Sequence, residues 1–354
     1  MKIVVEDISV RENSGGVYSI LMDFYNEVKD SGSENQWIFL LGERLFPDSE
    51  NIKVKIFPRK WSYRFGFSFL FGRRVINDFS PDIYISLQNI ATLGVNASKQ
   101  FLYVHQAIPF QRVKKFSFFQ KSERKLAGYQ YLVGACIFLS IKLSPANVIV
   151  QTQWMKEEIC RRHLKRPERV KVISPTDLVQ SYIPEKIQEN RLQQRTFFFP
   201  ATNFPYKNHR VIIDAVRILN QESLPKFSVV FTLSPSVKPV NTPKNVQYIG
   251  MVPREKVMTL YQESVLVFPS YIETYGLPLL EAKNTGAFVF SGDTPFGHEV
   301  LSEYPNAYYF DCFDANSLAD LMRSFLKGKL KYTPFSVEAT KVLQGPTLVQ
   351  YMLS

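Results

Sequence analysis

The 354-residue chain contains little cysteine, and its cysteines and histidines show no spacing typical of a metal site. The three cysteines, Cys136, Cys160 and Cys312, lie far apart and are odd in number, so they predict no disulfide framework. This usage favours a reducing compartment. Residues 1–7 have the pattern of a strand interrupted by acids, which is not the pattern of a signal peptide. We therefore expect a cytoplasmic protein.

Long apolar runs and nucleic-acid signatures are also missing. Residues 127–143 are nearly apolar, but they are short for a membrane span and contain polar interruptions, so we predict a buried helix. No helix-turn-helix, zinc or RNA-binding signature is visible, which argues against a nucleic-acid partner. The formal net charge of +11 then leaves two candidates, an anionic membrane face or a phosphorylated substrate.

Composition and pattern predict two α/β domains. Hydrophobic residues make up 45% of the chain and aromatic residues 14%, as in a globular protein, and the length exceeds one ordinary core. Short β-branched and aromatic runs alternate with helical patterns in both halves, which predicts mainly parallel sheets. We place the first domain at 1–174, a linker at 175–195, the second domain at 196–330 and a tail at 331–354. The tail is a candidate to pack back on the first domain.

The most informative stretch is 268–283. It follows an apolar run that predicts a buried strand, and Gly276 and Pro278 mark the start of a helix near Leu277. In an open parallel sheet, ligands bind beyond the carboxyl ends of the strands, where helix N-termini present free N–H groups to anions. Glu273 lies in the loop and Glu281 about one turn into the helix, so both carboxylates are expected near an anion site.

Carboxylates repel phosphate, so these two are better suited to accepting hydrogen bonds from hydroxyls of a ligand whose phosphates contact the N–H groups. A nucleotide-sugar offers hexose hydroxyls, ribose hydroxyls and a diphosphate between them. The alternative is structural: a solvated glutamate in the loop and a second one favoured by the helix dipole. Spacing alone leaves both readings open.

The string from Phe268 to Ala282, with its E-x7-E spacing, resembles the signature of retaining glycosyltransferase family 4, which has the GT-B fold of two Rossmann-like domains facing across a cleft. The resemblance implies that Glu273 meets the donor hexose and that Glu281 meets the ribose. It also implies that the loop N–H groups contact sugar and phosphate; these belong to Thr274, Tyr275, Gly276 and Leu277.

A second loop, after the strand predicted at 196–200, carries Lys207 and Asn208. A lysine there is usually a solvated charge, but this one falls at the same sheet edge as Glu273, where a diphosphate needs a cation. The resemblance implies a phosphate-binding lysine at this position. Many members also carry an arginine six residues earlier, where this chain has Ala201, and Arg210 or a base of the first domain is a candidate to replace it.

Three further residues of the first domain are candidates. Gly15 and Gly16 form a turn between the first strand and a helix, without G-x-G-x-x-G, and the alternative is a purely structural turn. His105 ends a predicted buried strand, where a structural histidine is the common case. The resemblance implies that the glycines contact donor phosphates or acceptor and that His105 lies near the donor sugar or acceptor. With Lys207 and Glu273, His105 completes the expected catalytic set.

Residues 111–126 combine bases with aromatic side chains, as suits adsorption to anionic lipid headgroups. The alternative is a solvated basic face with core aromatics. The stretch 292–300 is also predicted to be a loop, and the resemblance implies that it faces the same cleft as Glu273. The proposed docking residues are Arg112, Lys114, Lys115, Phe118, Phe119 and Lys121.

Taken with these features, the resemblance implies a retaining hexosyltransferase that needs no metal or other cofactor. Its donor is a UDP-sugar, or a GDP- or dTDP-sugar, and its acceptor a lipid-linked glycan of capsule, exopolysaccharide or O-antigen assembly on the inner face of the plasma membrane. Two alternatives stay open. One is a non-catalytic nucleotide-sugar-binding subunit, and the other is a glycan synthase or phosphorylase of the same architecture.

Overall fold

The computed structural model describes residues 1–12, 16–32, 34–175, 190–335 and 346–354. The described chain divides into two units, one holding residues 1–175 and 346–354 and the other residues 190–335. The predicted contact residue Gly15 and most of the predicted linker, 176–189, lie outside the described residues.

The first unit contains a parallel sheet of seven described strands in the order β3-β2-β1-β4-β5-β6-β7. Strand order reverses between β1 and β4, the arrangement in which α/β sheets bind ligands. The strands are β1 Lys2–Asp7, β2 Gln36–Leu41, β3 Ile52–Ile56, β4 Ile83–Ser86, β5 Lys99–Val104, β6 Asn147–Val150 and β7 Val170–Val172.

Helices flank this sheet because their apolar residues recur at helical spacing and pack on the strands. Residues Phe67–Phe71 and Tyr129–Val133 are π-helical turns that join α2 to α3 and α4 to α5. The helices of this unit are α1 Gly16–Asp30, α2 Trp61–Gly66, α3 Gly72–Asn77, α4 Arg124–Gly128, α5 Gly134–Leu143, α6 Gln153–Arg161 and, from the end of the chain, α12 Leu348–Leu353.

The second unit repeats the plan with six described strands in the order β10-β9-β8-β11-β12-β13, all parallel. The order reverses between β8 and β11. The strands are β8 Thr196–Phe199, β9 Ser228–Phe231, β10 Val246–Tyr248, β11 Val265–Phe268, β12 Val289–Gly292 and β13 Ala307–Phe310. The helices are α7 His209–Leu219, α8 Arg254–Glu263, α9 Leu277–Asn284, α10 Pro295–Val300 and α11 Ala315–Leu326.

The last helix, α12, packs on the first unit. Val349 and Met352 are buried in the same apolar cluster as residues of β1, β2 and α1. The ring of Tyr351 contacts that of Phe101 on β5 at 6.0 Å between centroids, and Lys99 Nζ donates to the carbonyl of Ser354 at 2.9 Å. Residues of β1 and of α12, near the two ends of the chain, therefore share one hydrophobic core.

One prediction about a helix is wrong and another is confirmed only in part. Residues 295–300, predicted as loop, form α10, because Thr294 caps the helix by accepting from the N–H of Gly297 at 3.2 Å. Residues 127–143, predicted as a buried helix, lie in a helix over 124–143 that buries one face: Ile137 and Ile141 belong to the core, but only 33% of its most apolar stretch is buried. Among the described residues this helix alone has the length and apolar content to cross a membrane. The sequence reading also omitted α2, α3 and β13.

Arg191 anchors the start of the second unit, within the stretch predicted as linker. Its side chain is fully buried, and its guanidinium donates to the carbonyls of Tyr261 at 2.9 Å, Gln262 at 2.7 Å and Thr285. These carbonyls lie at the C-terminal ends of α8 and α9, where backbone acceptors lack partners within their own helix. One guanidinium therefore caps both α8, which carries Arg254, and α9, which carries Glu281.

We expect Arg191→Met to destabilise the second unit by about 3 kcal/mol, because methionine fills the space but leaves three buried carbonyls without donors. Scanning calorimetry of the full chain measures the loss. The matched control is Arg210→Met, because Arg210 is 89% exposed and paired with Asp214 across one helical turn. It should change stability by less than about 0.5 kcal/mol. Equal transitions for both variants would contradict this role.

Candidate active site

Lys207 and Glu273 lie together at the carboxyl edge of the second sheet. Strands β8 and β11 are neighbours, so the loops that follow them lie side by side. The Lys207 ammonium donates to Glu273 Oε1, and each side chain is 16% exposed. The ammonium also lies 5.9 Å from the centre of the Phe268 ring and 5.8 Å from that of Tyr206. The structure thus brings together the two residues that the sequence singled out most strongly.

Backbone geometry holds the two loops in place. The N–H of Tyr271 donates to the carbonyl of Tyr206 at 3.1 Å, which ties the β11 loop to the β8 loop. Asn208 adopts a left-handed conformation, φ 57°, immediately before α7, and its amide donates to the carbonyl of Cys312 at 2.6 Å. The Asn208 side chain therefore anchors the loop to the segment after β13.

The helix N-terminus beside Glu273 is the start of α9. Gly276 has φ +92°, a conformation that L side chains rarely adopt, and Pro278 lies in the first turn. The N-terminus of α9 thus follows directly on the loop of Glu273, and Leu277 is the first residue of the helix to contribute a backbone N–H there, since Pro278 has none. Thr274 and Tyr275 complete the loop and are both half-buried. Positive helix ends of this kind bind anions.

Glu281 lies one turn into α9 and is held by two partners. Arg254 Nη2, at the start of α8, is 3.0 Å from Glu281 Oε1, and the Tyr261 hydroxyl donates to Oε2 at 3.0 Å. Burial raises the pKa of Glu281, while Arg254 and the Tyr261 hydroxyl lower it. Sequence reasoning missed Arg254, because only the packing of α8 on α9 brings it to the carboxylate.

At Ala201, where many family members have an arginine, α7 provides no cationic replacement. Ala201 donates its N–H to the Thr232 hydroxyl at 3.2 Å. Arg210, one of the candidates, is 89% exposed and paired with Asp214 on its own helix at 3.4 Å. Arg254, within reach of Glu281, is the basic side chain that the structure adds to this neighbourhood.

In the first unit, a second polar cluster lies where β1 meets β4. Glu6 is fully buried and accepts from the hydroxyl of Tyr84, from Gln88 Nε2 at 2.5 Å and from Thr92 Oγ1 at 2.8 Å. Burial raises the pKa of Glu6 to about 7, although the hydrogen bonds from Tyr84 and Thr92 oppose the shift. Sequence reasoning gave Glu6 no role, since an acid within a strand pattern carries no signal of such a network.

His105 follows β5, as predicted, at the carboxyl edge of the same sheet. Its ring stacks on Tyr103 at 5.6 Å between centroids, and its side chain is half-buried. Burial lowers the pKa of His105 to about 4, so the ring is neutral at physiological pH. Gly16 begins α1, and a Cβ built there would meet no atom of the described chain within 4 Å.

The predicted docking residues divide into paired and exposed groups. Lys114 Nζ is 2.6 Å from Glu123 and Arg112 is 2.8 Å from Glu158, which neutralises two of the charges. Phe118 is 40% exposed and Phe119 97%, and Lys115 and Lys121 are exposed as well. The Phe118 ring contacts Tyr131 on the exposed face of helix 124–143 at 5.8 Å between centroids.

Within the described part of the chain, no group of three His, Cys, Asp or Glu side chains is placed to hold a metal ion. Independence from metals stays a prediction.

Residues 183–342, which span the second unit, match the family model of glycosyl transferases group 1. The second unit is therefore similar to group 1 glycosyl transferase domains. The match covers the loops that carry Lys207, Glu273 and Glu281. No curated protein is similar enough in sequence to the chain to count as a match.

Solved structures that are similar over more than 90% of the chain show that it has the GT-B fold. WaaG, a glycosyltransferase involved in lipopolysaccharide biosynthesis, has a TM-score of 0.64 and 14% identity over 92% of this chain and 90% of WaaG. Sucrose-phosphate synthase from Thermosynechococcus elongatus has the same score and identity over 93% and 90%. Anabaena HepE, solved with UDP-glucose, has a TM-score of 0.59 and 14% identity over 93% and 90%. At these identities the similarity establishes the fold.

We expect Glu6 to make the first unit less stable as pH rises. Its pKa in the folded chain, about 7, exceeds the ordinary 4.5, so the folded state binds an extra proton between these values and stability falls as pH rises through them. Glu6→Gln should remove roughly 2 kcal/mol of the difference in unfolding free energy between pH 5 and pH 8.

Tryptophan fluorescence during urea unfolding reports this change selectively, because Trp37, Trp61 and Trp154 all lie in the first unit. Asp7, whose pKa burial raises to about 6, remains in the variant and keeps part of the slope. Glu50→Gln, at an exposed position of the same unit, is the control and should leave the pH dependence as in the wild type. An unchanged slope in Glu6→Gln would rule out the expected titration.

Proposed function

We propose that the protein is a retaining glycosyltransferase that moves a hexose from a nucleotide-sugar, with UDP as the nucleotide, to a glycan hydroxyl. The observation that carries the proposal is the Lys207 ammonium beside the Glu273 carboxylate, next to the N-terminus of α9. An ammonium and free N–H groups suit a diphosphate, while a carboxylate suits sugar hydroxyls. The group 1 domain supports a glycosyltransferase, and the HepE complexes with UDP and UDP-glucose support the choice of UDP.

Binding of the donor exchanges the partners of the ion pair. A diphosphate competes for the Lys207 ammonium, and the hexose hydroxyls donate to the Glu273 carboxylate that the ammonium leaves. As the glycosidic bond breaks, negative charge grows on the departing phosphate, where Lys207 and the N–H groups at Leu277 stabilise it. The low exposure of both side chains, 16%, strengthens these interactions.

Glu281 binds the ribose in this proposal. Arg254 and Tyr261 each hold one of its oxygens at 3.0 Å, which fixes the plane of the carboxylate. The remaining lone pairs accept the two ribose hydroxyls. We assign no enzymic nucleophile and no metal, so retention follows a route in which donor and acceptor react on one face of the sugar. The bond between sugar and phosphate breaks, the acceptor oxygen bonds to the sugar carbon, and the departing phosphate takes the acceptor's proton.

The proposal predicts that the wild-type chain releases UDP from a UDP-hexose in the presence of an acceptor, also in EDTA. Lys207→Met should lower kcat by about 100-fold, and Glu273→Ala should lower it by 100-fold or more, because each removes a charged contact made in the transition state. Arg210→Met is the control and should stay within twofold of the wild type, since Arg210 points to solvent.

A panel of UDP-, GDP- and dTDP-sugars, first screened by thermal shift, selects the donor. Proton NMR of the product then reads the anomeric configuration. Nucleotide binding without turnover of any donor would favour the non-catalytic subunit. Transfer to inorganic phosphate or to a small soluble sugar phosphate would favour the phosphorylase or synthase.

We also propose that the acceptor is a lipid-linked glycan of capsule, exopolysaccharide or O-antigen assembly, reached at the inner face of the plasma membrane. Support comes from a docking surface formed by Phe118, Phe119 and the exposed side of helix 124–143. There Tyr131 is 43% exposed and Leu132 62%. Exposed bases border these apolar side chains, a combination that suits anionic headgroups; the bases are Lys115, Lys121, Arg124 and Lys125.

Vesicle flotation tests this docking surface. The wild type should float with vesicles containing anionic lipid, and Phe119→Ser combined with Leu132→Ser should lower recovery about tenfold, because both side chains lose apolar area in the membrane. Lys115→Glu with Lys121→Glu should lower recovery further at low salt. Val240→Ser, at a fully exposed valine of the other unit, is the control. Equal recovery of all variants would refute membrane docking through this surface.

A further inference from the structure

The side chain of Asn89 contacts His105 twice. The backbone N–H of His105 donates to Asn89 Oδ1 at 2.7 Å, and Asn89 Nδ2 lies 2.9 Å from His105 Nε2. Asn89 is 8% exposed and has φ 67°, a left-handed conformation that asparagine tolerates better than most residues. Asn89 follows β4 and His105 follows β5, the adjacent strand.

These two contacts determine which ring nitrogen of His105 carries the proton. A backbone N–H can only donate, so the Asn89 atom that receives it is the carbonyl oxygen, and the NH₂ group faces the ring. An NH₂ group can only donate, so His105 Nε2 accepts this hydrogen bond and carries no proton. A neutral ring then holds its proton on Nδ1, and burial, which lowers the pKa of His105 to about 4, keeps the ring neutral.

The loop that carries Asn89 is fixed from several sides. Gln88 and Thr92, which flank it, both donate to the buried carboxylate of Glu6, at 2.5 and 2.8 Å. The N–H of Ala91 donates to the Ser140 hydroxyl at 2.7 Å. A loop held at three points keeps the Asn89 amide aligned with the His105 ring.

We propose that Asn89 is a positioning residue that fixes His105 as the Nδ1–H tautomer, and that His105 serves as a hydrogen-bond donor to a sugar oxygen of the substrate. The second half of this inference rests on the proposed function. Within the described chain, His105 Nδ1 has no hydrogen-bond partner, and the side chain is half-buried, so its N–H can reach a ligand. Because Nε2 is occupied and Nδ1 is protonated, the ring has no free lone pair. His105 is therefore not the base that deprotonates the acceptor hydroxyl.

The tautomer is tested by NMR on the full chain labelled with ¹³C,¹⁵N-histidine. The chain has four histidines, and His105→Gln assigns the signal of His105. We expect the ¹⁵N shifts of a protonated Nδ1 and a bare Nε2 at pH 7. Asn89→Asp keeps an acceptor for the backbone N–H but faces Nε2 with an acceptor, so a proton should appear on Nε2. Asn89→Gly, which tolerates the same φ, should raise the population with Nε2 protonated. A proton on Nε2 in the wild type would overturn the assignment.

The donor role is tested by two substitutions that copy opposite halves of the ring. The amide of His105→Asn falls near the place of Nδ1 and can donate there, whereas that of His105→Gln falls near Nε2 and can only keep the contact with Asn89. With the selected nucleotide-sugar, we expect the kcat of His105→Asn to stay within about tenfold of the wild type. The kcat of His105→Gln should fall by about 100-fold. The reverse order would assign His105 a structural role. The NMR result needs no turnover, so it separates failure of this inference from failure of the proposed function.

Discussion

The hydrogen-bonded pairing of β8 with β11 is the constraint on which the candidate site depends. Strand order reverses at this pair, so the chain leaves the two strands toward opposite faces of the sheet and the following loops diverge around a crevice. Lys207 stands on one side of that crevice and Glu273 on the other, and their ion pair spans it. Any slip of register between the strands would separate the charges, since each additional residue along a strand moves a side chain by about 3.3 Å.

The first unit has the same reversal between β1 and β4, but it places a different chemistry there. Instead of an ion-paired ammonium, the crevice holds the buried carboxylate of Glu6, which accepts hydrogen bonds from β4 and from the loop after it. That network organises the backbone around Asn89 and, through it, the ring of His105. In the proposed function, one sheet edge supplies charge for a diphosphate, and the other supplies a neutral, oriented ring.

Sequence patterns predicted most of the strands, because buried parallel strands are continuous apolar runs bounded by turn residues. They also predicted that Lys207 and Glu273 share a sheet edge. They did not predict Arg254 beside Glu281 or Asn89 beside His105, because each contact depends on how two elements distant in sequence pack together. The exposed face of helix 124–143 was missed for a related reason: apolar content indicates a helix, but it does not indicate what covers it.

The docking of α12 on the first sheet has a consequence for how the protein is made. Val349 and Met352 fill part of a core whose other members lie in roughly the first hundred and fifty residues. During translation, the residues of the second unit are synthesised before Val349 and Met352. The first unit's core can therefore be completed only after the second unit has been synthesised, although amino-terminal domains usually fold first.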